Sequence, residues 1–265
     1  MAQFISSTHN SRVQQVRALL NQKCARTESG CFVVEGVRLA EEAAASGSLP
    51  REIYFSQTVS ERGRQLVAKM ETAGVETFEL SESVLESLSA TETSQGLLMV
   101  MPQSGTTLPV NCDFALVLDQ IRDPGNLGTI LRSAAAAGVK AVFLPPGTAD
   151  AFAPKVVRSG MGAHFRLSIQ SAEWPEITHY CKSACTPPLR LLLAESGGGK
   201  DCWQTDLKAP IALVIGGEAD GASQEARQAV DDLIYIPMPG NFESLNAAVA
   251  AGILLFEVVR QRSQL

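Results

Sequence analysis

Apolar residues in this chain fall into two kinds of run, and their alternation predicts the architecture. Short segments rich in apolar residues and bounded by Gly, Pro or polar residues read as strands, buried where the apolar run is continuous. They occur at 31–35, 52–56, 76–80 and 96–101, and again at 113–119, 140–144, 166–169, 190–194 and 211–215. Between them, apolar positions recur at helical spacing. Val13, Val16, Leu19 and Leu20 make one such face, and helices are expected at 37–46, 60–73, 81–88, 127–137, 148–158 and near 173–183. Strands alternating with helices argue for an α/β fold, with parallel pairing where the strands are apolar throughout. The final stretch, 233–260, differs. A short β-branched segment meets a Pro/Gly turn at 238–243, then a helix that is apolar or Gly at every position from 247 to 256. A membrane span needs roughly 20 apolar residues, so this helix is expected to be enclosed by protein. Ser244 stands where its N-cap belongs.

The segment 102–111, PQSGTTLPVN, is polar and rich in turn formers. It reads as a linker between a smaller α/β domain (1–101) and a larger one (112–265). The apolar fraction, 45%, and the charged fraction, 19%, suit an ordinary globular core. The net charge of −6 argues against a generally basic nucleic-acid binder. Yet residues 1–27 hold Arg12, Arg17, Lys23 and Arg26 without an acid, and 151–172 hold Lys155, Arg158 and Arg166 without one. Such local patches suit a phosphate backbone; a solvated helix face is the simpler reading of the first. The six cysteines have no framework spacing, which favours reduced thiols in a cytoplasmic protein. No secretory signal or membrane-spanning run is evident.

Candidate chemistry concentrates in three Gly/Pro-rich loops, 119–128, 216–223 and 237–244, each after a predicted buried strand. Open α/β sheets bind ligands outside the carboxyl ends of their strands, so the three loops are expected to line one site. No GxGxxG follows the first strand, no phosphate-loop signature occurs, and no Cys/His set has metal spacing. With His9, His164 and His179 the only histidines, a Ser-His-Asp hydrolase is not favoured. Arg132 leaves the apolar stripe of the 127–137 helix near an expected cap at Asn126.

Three stretches resemble the ordered motifs of the SpoU family of ribose 2′-O-methyltransferases, in the SPOUT superfamily. They are LDQIRDPGNLGTILRSAAAAGV (118–139), ALVIGGEADGAS (212–223) and IPMPGNFESLNAAVAAGILLFEVVRQR (236–262). PKVVRSGMGAHFRLSI (154–169) resembles the segment between the first two motifs. SSTHNSRVQQVRALL (6–20) and FVVEGVRLAEEA (32–43) are similar to the family's L30e-like RNA-binding domain. The resemblance covers nearly the whole chain. It implies a C-terminal α/β methyltransferase domain with a deep trefoil knot, an exception to unknotted folds, and a smaller L30e-like α/β domain before it.

It further implies an S-adenosylmethionine-dependent enzyme, homodimeric, acting on RNA without a metal. By position, Gly216, Ile236 and Leu245 match cofactor contacts, with Leu144, Gly217, Met238 and Ser244 close by. Arg132 matches the arginine at the target ribose, supported by Asn126, Glu218, Ser244 and Asn246. Guanidinium groups hold their proton near neutral pH, so Arg132 has two possible roles, a perturbed base or an orienter of the developing alkoxide. Arg12, Arg17, Lys23, Arg26, Arg38, Lys155 and Arg158 are the expected RNA contacts. Departures from the family pattern lie at Gly160-Met161, at Asp220 and at Asn241-Phe242-Glu243, and are expected to tune substrate fit. The two-domain plan favours ribosomal over transfer RNA. A catalytically silent RNA-binding protein is the alternative, weakened because the implied catalytic residues are all present. A nicotinamide-dependent oxidoreductase fails on the missing glycine fingerprint.

Overall fold

The computed structural model describes residues 2–89, 94–103, 108–218, 221–240 and 243–263. Asp220, Asn241, Phe242 and positions 104–107 of the expected linker lie outside the described residues. In chain order the elements are β1 (Gln3–Ile5), α1 (Ser11–Asn21), α2 (Lys23–Ser29), β2 (Cys31–Glu35), α3 (Val37–Ala45), β3 (Glu52–Phe55), α4 (Glu61–Thr72), β4 (Glu76–Leu80), α5 (Glu82–Glu86) and β5 (Leu97–Pro102). Then come β6 (Phe114–Leu118), α6 (Pro124–Ala136), β7 (Ala141–Leu144), α7 (Pro154–Gly160), β8 (Ser168–Ser171), α8 (Trp174–His179), β9 (Arg190–Ala194), β10 (Lys200–Asp201), β11 (Ile211–Ile215), α9 (Gln224–Ala229), β12 (Asp232–Tyr235) and α10 (Ala247–Arg262). Two compact units result. One is Met1–Gly105 with Phe152–Phe165, the other Thr106–Ala151 with Arg166–Leu265.

The first unit is built on a five-stranded sheet in the order β1-β4-β3-β5-β2, with β5 antiparallel to both neighbours. Successive side chains of a strand point to opposite faces, and the sequence exploits this. Phe32, Val34, Leu97, Met99 and Met101 fill one core with Val37, Ala40, Leu66 and Met70 from α3 and α4. Val33, Leu98 and Val100 fill the other with Val13, Val16 and Leu19 from α1. Val157 of α7 is buried in the first of these cores, with Phe152 and Phe165 packed against it. The Phe152 and His164 rings lie 5.1 and 5.8 Å from that of Phe32. The helix expected at 148–158 starts later, because Pro154 supplies the pre-set φ of a first helical turn. β1 and α2 are additions that the apolar pattern did not indicate.

The second unit is a seven-stranded sheet in the order β10-β12-β9-β11-β6-β7-β8, parallel at every pairing. Its central strands β6 and β11 are buried at every residue, as strands covered on both faces must be. From β6 the chain steps outward to β7 and β8, then returns to the other side of β11. The carboxyl ends of β6 and β11 therefore sit at a topological switch point, where such sheets open a crevice.

Two caps differ from expectation, and both differences shape that crevice. Asp123, not Asn126, caps α6; it accepts the Asn126 N–H at 2.7 Å and leaves the Asn126 side chain available. Asn246, not Ser244, caps α10, accepting from Ala248 N (2.9 Å) and Val249 N (3.2 Å). Nor is α10 enclosed all round. Ala251, Leu254, Leu255 and Val258 are fully buried, but Val249 and Phe256 are about half exposed. These two lie seven residues apart, two helical turns along one face.

Candidate functional site

The site begins at the end of β6. Asp119 is fully buried, and its carboxylate accepts from Trp174 Nε1 (3.2 Å) and Ser223 N (2.6 Å). A buried charge is tolerated only with such partners. This one ties the far end of the loop after β11 back to β6. Ser223 then caps α9 through Ala226 N (3.1 Å). Within the loop, Gly217 and Gly221 exchange two backbone hydrogen bonds, 3.0 and 3.1 Å. A Cβ at Gly216 would lie 2.6 Å from Ala222 N, and one at Gly217 would strike the Gln120 carbonyl oxygen. Glycine here is a requirement of close approach between backbones.

That tight loop presents Glu218 to two amides. Its Oε1 accepts from Asn126 Nδ2 and from Asn246 Nδ2, the latter at 2.8 Å, and Asn246 Nδ2 also lies 3.2 Å from Asn126 Oδ1. Asn126 of the first predicted loop, Glu218 of the second, and Asn246, two residues past the third, thus meet at one carboxylate. Because Asn246 also caps α10, the network is fixed to a helix terminus as well as to the sheet edge.

Glu218 and Gly217 border two cavities. The larger, about 380 Å³, is lined by Gly216, Gly217, Glu218, Ile236, Met238, Ser244 and Leu245, with Glu195 and Arg227 also on its wall. The smaller, about 100 Å³, is lined by Gln120, Ile121, Arg122, Asp123 and Asn126. The larger volume is in the range of small-molecule pockets. Ile236, Met238, Leu245 and Ala250 give it an apolar wall, while the glycine loop supplies backbone polar groups. A flat heteroaromatic base joined to a polar chain, such as an adenosyl cofactor, fits that division of surfaces.

Not every expected residue joins this assembly. Leu144 is buried in β7 and lines neither cavity. Ser244 lines the larger cavity as an exposed residue ahead of α10. Arg132 is exposed on α6 and lines neither cavity. At ~100° per residue it points about 120° around the helix from Asn126.

Of the expected RNA contacts in the first unit, Lys23, Arg38 and Lys155 are exposed. Arg12 is engaged by Glu52 and Glu76 and lies 4.3 Å from the Phe78 ring centre. Arg17 donates to Ser87 Oγ at 3.0 Å, and Arg158 faces Glu35 at 3.8 Å. Arg26 requires correction. It is 5% exposed, and its guanidinium donates to the Leu19 carbonyl, which an α-helix C-terminus leaves without an intrahelical partner. It closes the α1–α2 junction and does not face solvent.

Asp119, Glu195 and Arg227 were not singled out from the sequence. Asp119 and Glu195 each follow directly after a buried strand, which is the signal that could have found them. The cysteines are free thiols, all buried except Cys24. Burial pushes Cys202 up to about 11 and Cys181 up to about 12, which makes these two poor nucleophiles. Among the described residues no group of His, Cys, Asp and Glu is placed to hold a metal ion.

A family model described as the SpoU rRNA methylase family matches residues 113–256, and one described as an MRM3-like substrate binding domain matches 10–99. The chain is 32% identical to the 23S rRNA (guanosine(2553)-2′-O)-methyltransferase RlmP of Bacillus subtilis, over 96% of this chain and 98% of that one. It is 32% identical to the mitochondrial rRNA methyltransferase 3 of Homo sapiens, over 94% and 72%. Among solved structures, the SpoU methyltransferase AviRb from Streptomyces viridochromogenes, in complex with the cofactor AdoMet, superimposes with a TM-score of 0.88. It is 32% identical, with 96% and 99% of the two chains covered.

Proposed function

The chain belongs to the SpoU rRNA methylase family, and on that premise we propose that it transfers a methyl group from S-adenosylmethionine to a ribose 2′-hydroxyl of 23S ribosomal RNA. The observation that carries the reading is the convergence of Asn126, Glu218 and Asn246 beside the larger cavity. Ribosomal RNA is favoured over transfer RNA because the substrate-binding match in the first unit accompanies relatives named as rRNA methyltransferases across nearly the whole chain.

Bound S-adenosylmethionine supplies an electrophilic methyl group, so the protein's task is alignment and proton removal. The wall of Ile236, Met238 and Leu245 takes the adenine, and Gly216 and Gly217 offer backbone groups to the polar chain. Glu218, held by two asparagines, keeps a fixed acceptor at the cavity edge, where a ribose hydroxyl can be oriented. Arg132, exposed on α6 outside both cavities, is in this reading the cation that stabilises the developing alkoxide. Lys23, Arg38 and Lys155 meet phosphates as exposed cations.

The protein works as a homodimer in this reading. The half-exposed Val249 and Phe256 on α10, with Leu245 ahead of it, form an apolar strip that a second copy would cover. A cytoplasmic setting accords with six free thiols. No helix among the described residues is long and apolar enough to cross a membrane.

The test is incubation of the purified protein with labelled cofactor and either 23S or transfer RNA, followed by mapping of the modified nucleotide. Label on a ribose of 23S RNA is expected; label on a base would overturn the proposal. Arg132→Ala should lose methyl transfer by at least a hundredfold while retaining cofactor affinity. Near-normal turnover in that variant would remove Arg132 from the mechanism.

A further inference from the structure

The wall of the larger cavity carries an acidic side chain that the mechanism above leaves unused. Glu195 follows β9 directly, and its backbone N–H donates to Ile234 O at 2.9 Å. The residue is thereby anchored at the carboxyl edge of the parallel sheet. Its carboxylate is paired with Arg227 of α9, and both residues line the cavity with Gly216 and Ile236. The pair is partly covered, with side-chain exposures of 22% for Glu195 and 43% for Arg227. Arg227 approaches from a fixed platform, since the cap of α9, Ser223, is itself bound to buried Asp119.

We propose that Glu195 accepts the ribose hydroxyls of the adenosyl cofactor, and that Arg227 is a positioning residue that aims its carboxylate. The proposal rests on the methyltransferase reading. An ionised carboxylate only accepts hydrogen bonds, so its ligand must bring donors. The cofactor offers two sets, the ribose diol and the α-ammonium. Arg227 already neutralises Glu195, which weakens its pull on a second cation but leaves lone pairs for neutral hydroxyls. The apolar residues Ile236, Met238 and Leu245 of the same cavity suit the adenine, and the ribose is the group attached to that base. An acidic side chain near the carboxyl edge of a parallel sheet is also how dinucleotide folds hold an adenosine ribose. A rim ion pair that merely tied α9 to β9 would contribute little and would not need to face the cavity.

The experiment is calorimetric titration of S-adenosylmethionine, S-adenosylhomocysteine and its 2′-deoxy and 3′-deoxy analogues. The proteins are wild type, Glu195→Ala, Glu195→Gln and Arg227→Met, each with its melting temperature recorded without ligand. Wild type is expected to reject at least one deoxy analogue by about tenfold to a hundredfold. Glu195→Ala and Glu195→Gln lose a similar factor on the parent compounds and bind that analogue no worse than the parent. Arg227→Met loses less and keeps the discrimination. All variants melt within a few degrees of wild type. Unchanged affinity in both Glu195 variants would overturn the proposal. So would lost affinity with discrimination intact, which would assign Glu195 to the ammonium. If wild type binds neither parent compound, the methyltransferase reading fails, and this assignment with it.

Discussion

In the seven-stranded sheet every strand runs the same way, so the loops after β6, β9, β11 and β12 leave at one edge. Polar side chains of these loops and of the helices they lead into converge: Asn126 and Asn246 on the Glu218 carboxylate, Glu195 and Arg227 on the cavity wall. In the five-stranded sheet β5 runs against its neighbours, and the loops are divided between two edges. There the polar groups are largely used internally. Arg12 spans α1 to Glu52 and Glu76 of β3 and β4, and Arg26 closes a helix junction. The contrast teaches that strand direction decides whether charged residues collect into a site or disperse as braces. A surface of dispersed cations suits a long polyanion, whereas a single reacting atom needs convergence.

The largest effect expected from breaking this contrast comes from removing 152–165 from the first unit. A fragment ending at residue 105 lacks Val157, Phe152 and Phe165 and uncovers Phe32. At ~1.5–3 kcal/mol per buried apolar side chain, the fragment should lose cooperative melting by near-ultraviolet circular dichroism, and adding a peptide of 152–165 should partly restore it. Next is the hub of the second unit. Glu218→Ala releases both asparagines, and single-turnover methylation should fall about a hundredfold, with cooperative unfolding retained. If the rate is unchanged, the convergence has no catalytic meaning.

A third comparison lies within the first unit. Arg26→Met leaves the Leu19 carbonyl without its donor and should cost about 2 kcal/mol of stability by urea unfolding, while RNA affinity in the folded protein is little changed. Lys23→Ala should do the reverse, leaving stability intact and lowering the salt slope of RNA binding by ~1. The smallest effect concerns Glu257 on α10. Hydrogen bonds from Arg260 at 2.7 and 2.8 Å hold its carboxyl below the usual value of 4.5. A depressed folded-state value means that its stabilisation is present above pH 4.5 and lost as pH falls through the folded value. Glu257→Gln should therefore melt ~2 °C lower near neutral pH and show a shallower acid decline below pH 4.5. An identical acid limb in both proteins would remove Glu257 from the linkage.

Much of this was legible in the sequence, because strands and helices are local patterns. The continuous apolar runs at 114–118 and 211–215 became fully buried parallel strands, and the loops that follow them meet through Asn126 and Glu218; β12, before the third loop, is buried only at Ile234, and the third partner, Asn246, lies two residues beyond that loop. The stretches that resemble the family motifs already contain Asn126, Glu218 and Asn246. Other features were decided only by tertiary structure. Nothing local distinguishes Arg26 from Lys23, since burial depends on which carbonyl lies within reach after α1 and α2 fold back. The segment 152–165 joined the first core although it follows β7 of the other sheet, because a Val and two Phe side chains there pack with Phe32. Apolarity all round α10 could not reveal that Val249 and Phe256 stay exposed, for composition states a preference for burial and only packing supplies the partner. The Glu195–Arg227 pair is a contact across 32 residues of chain. Sequence specifies the periodicity of such groups, while their meeting follows from the order and direction of strands in the sheet.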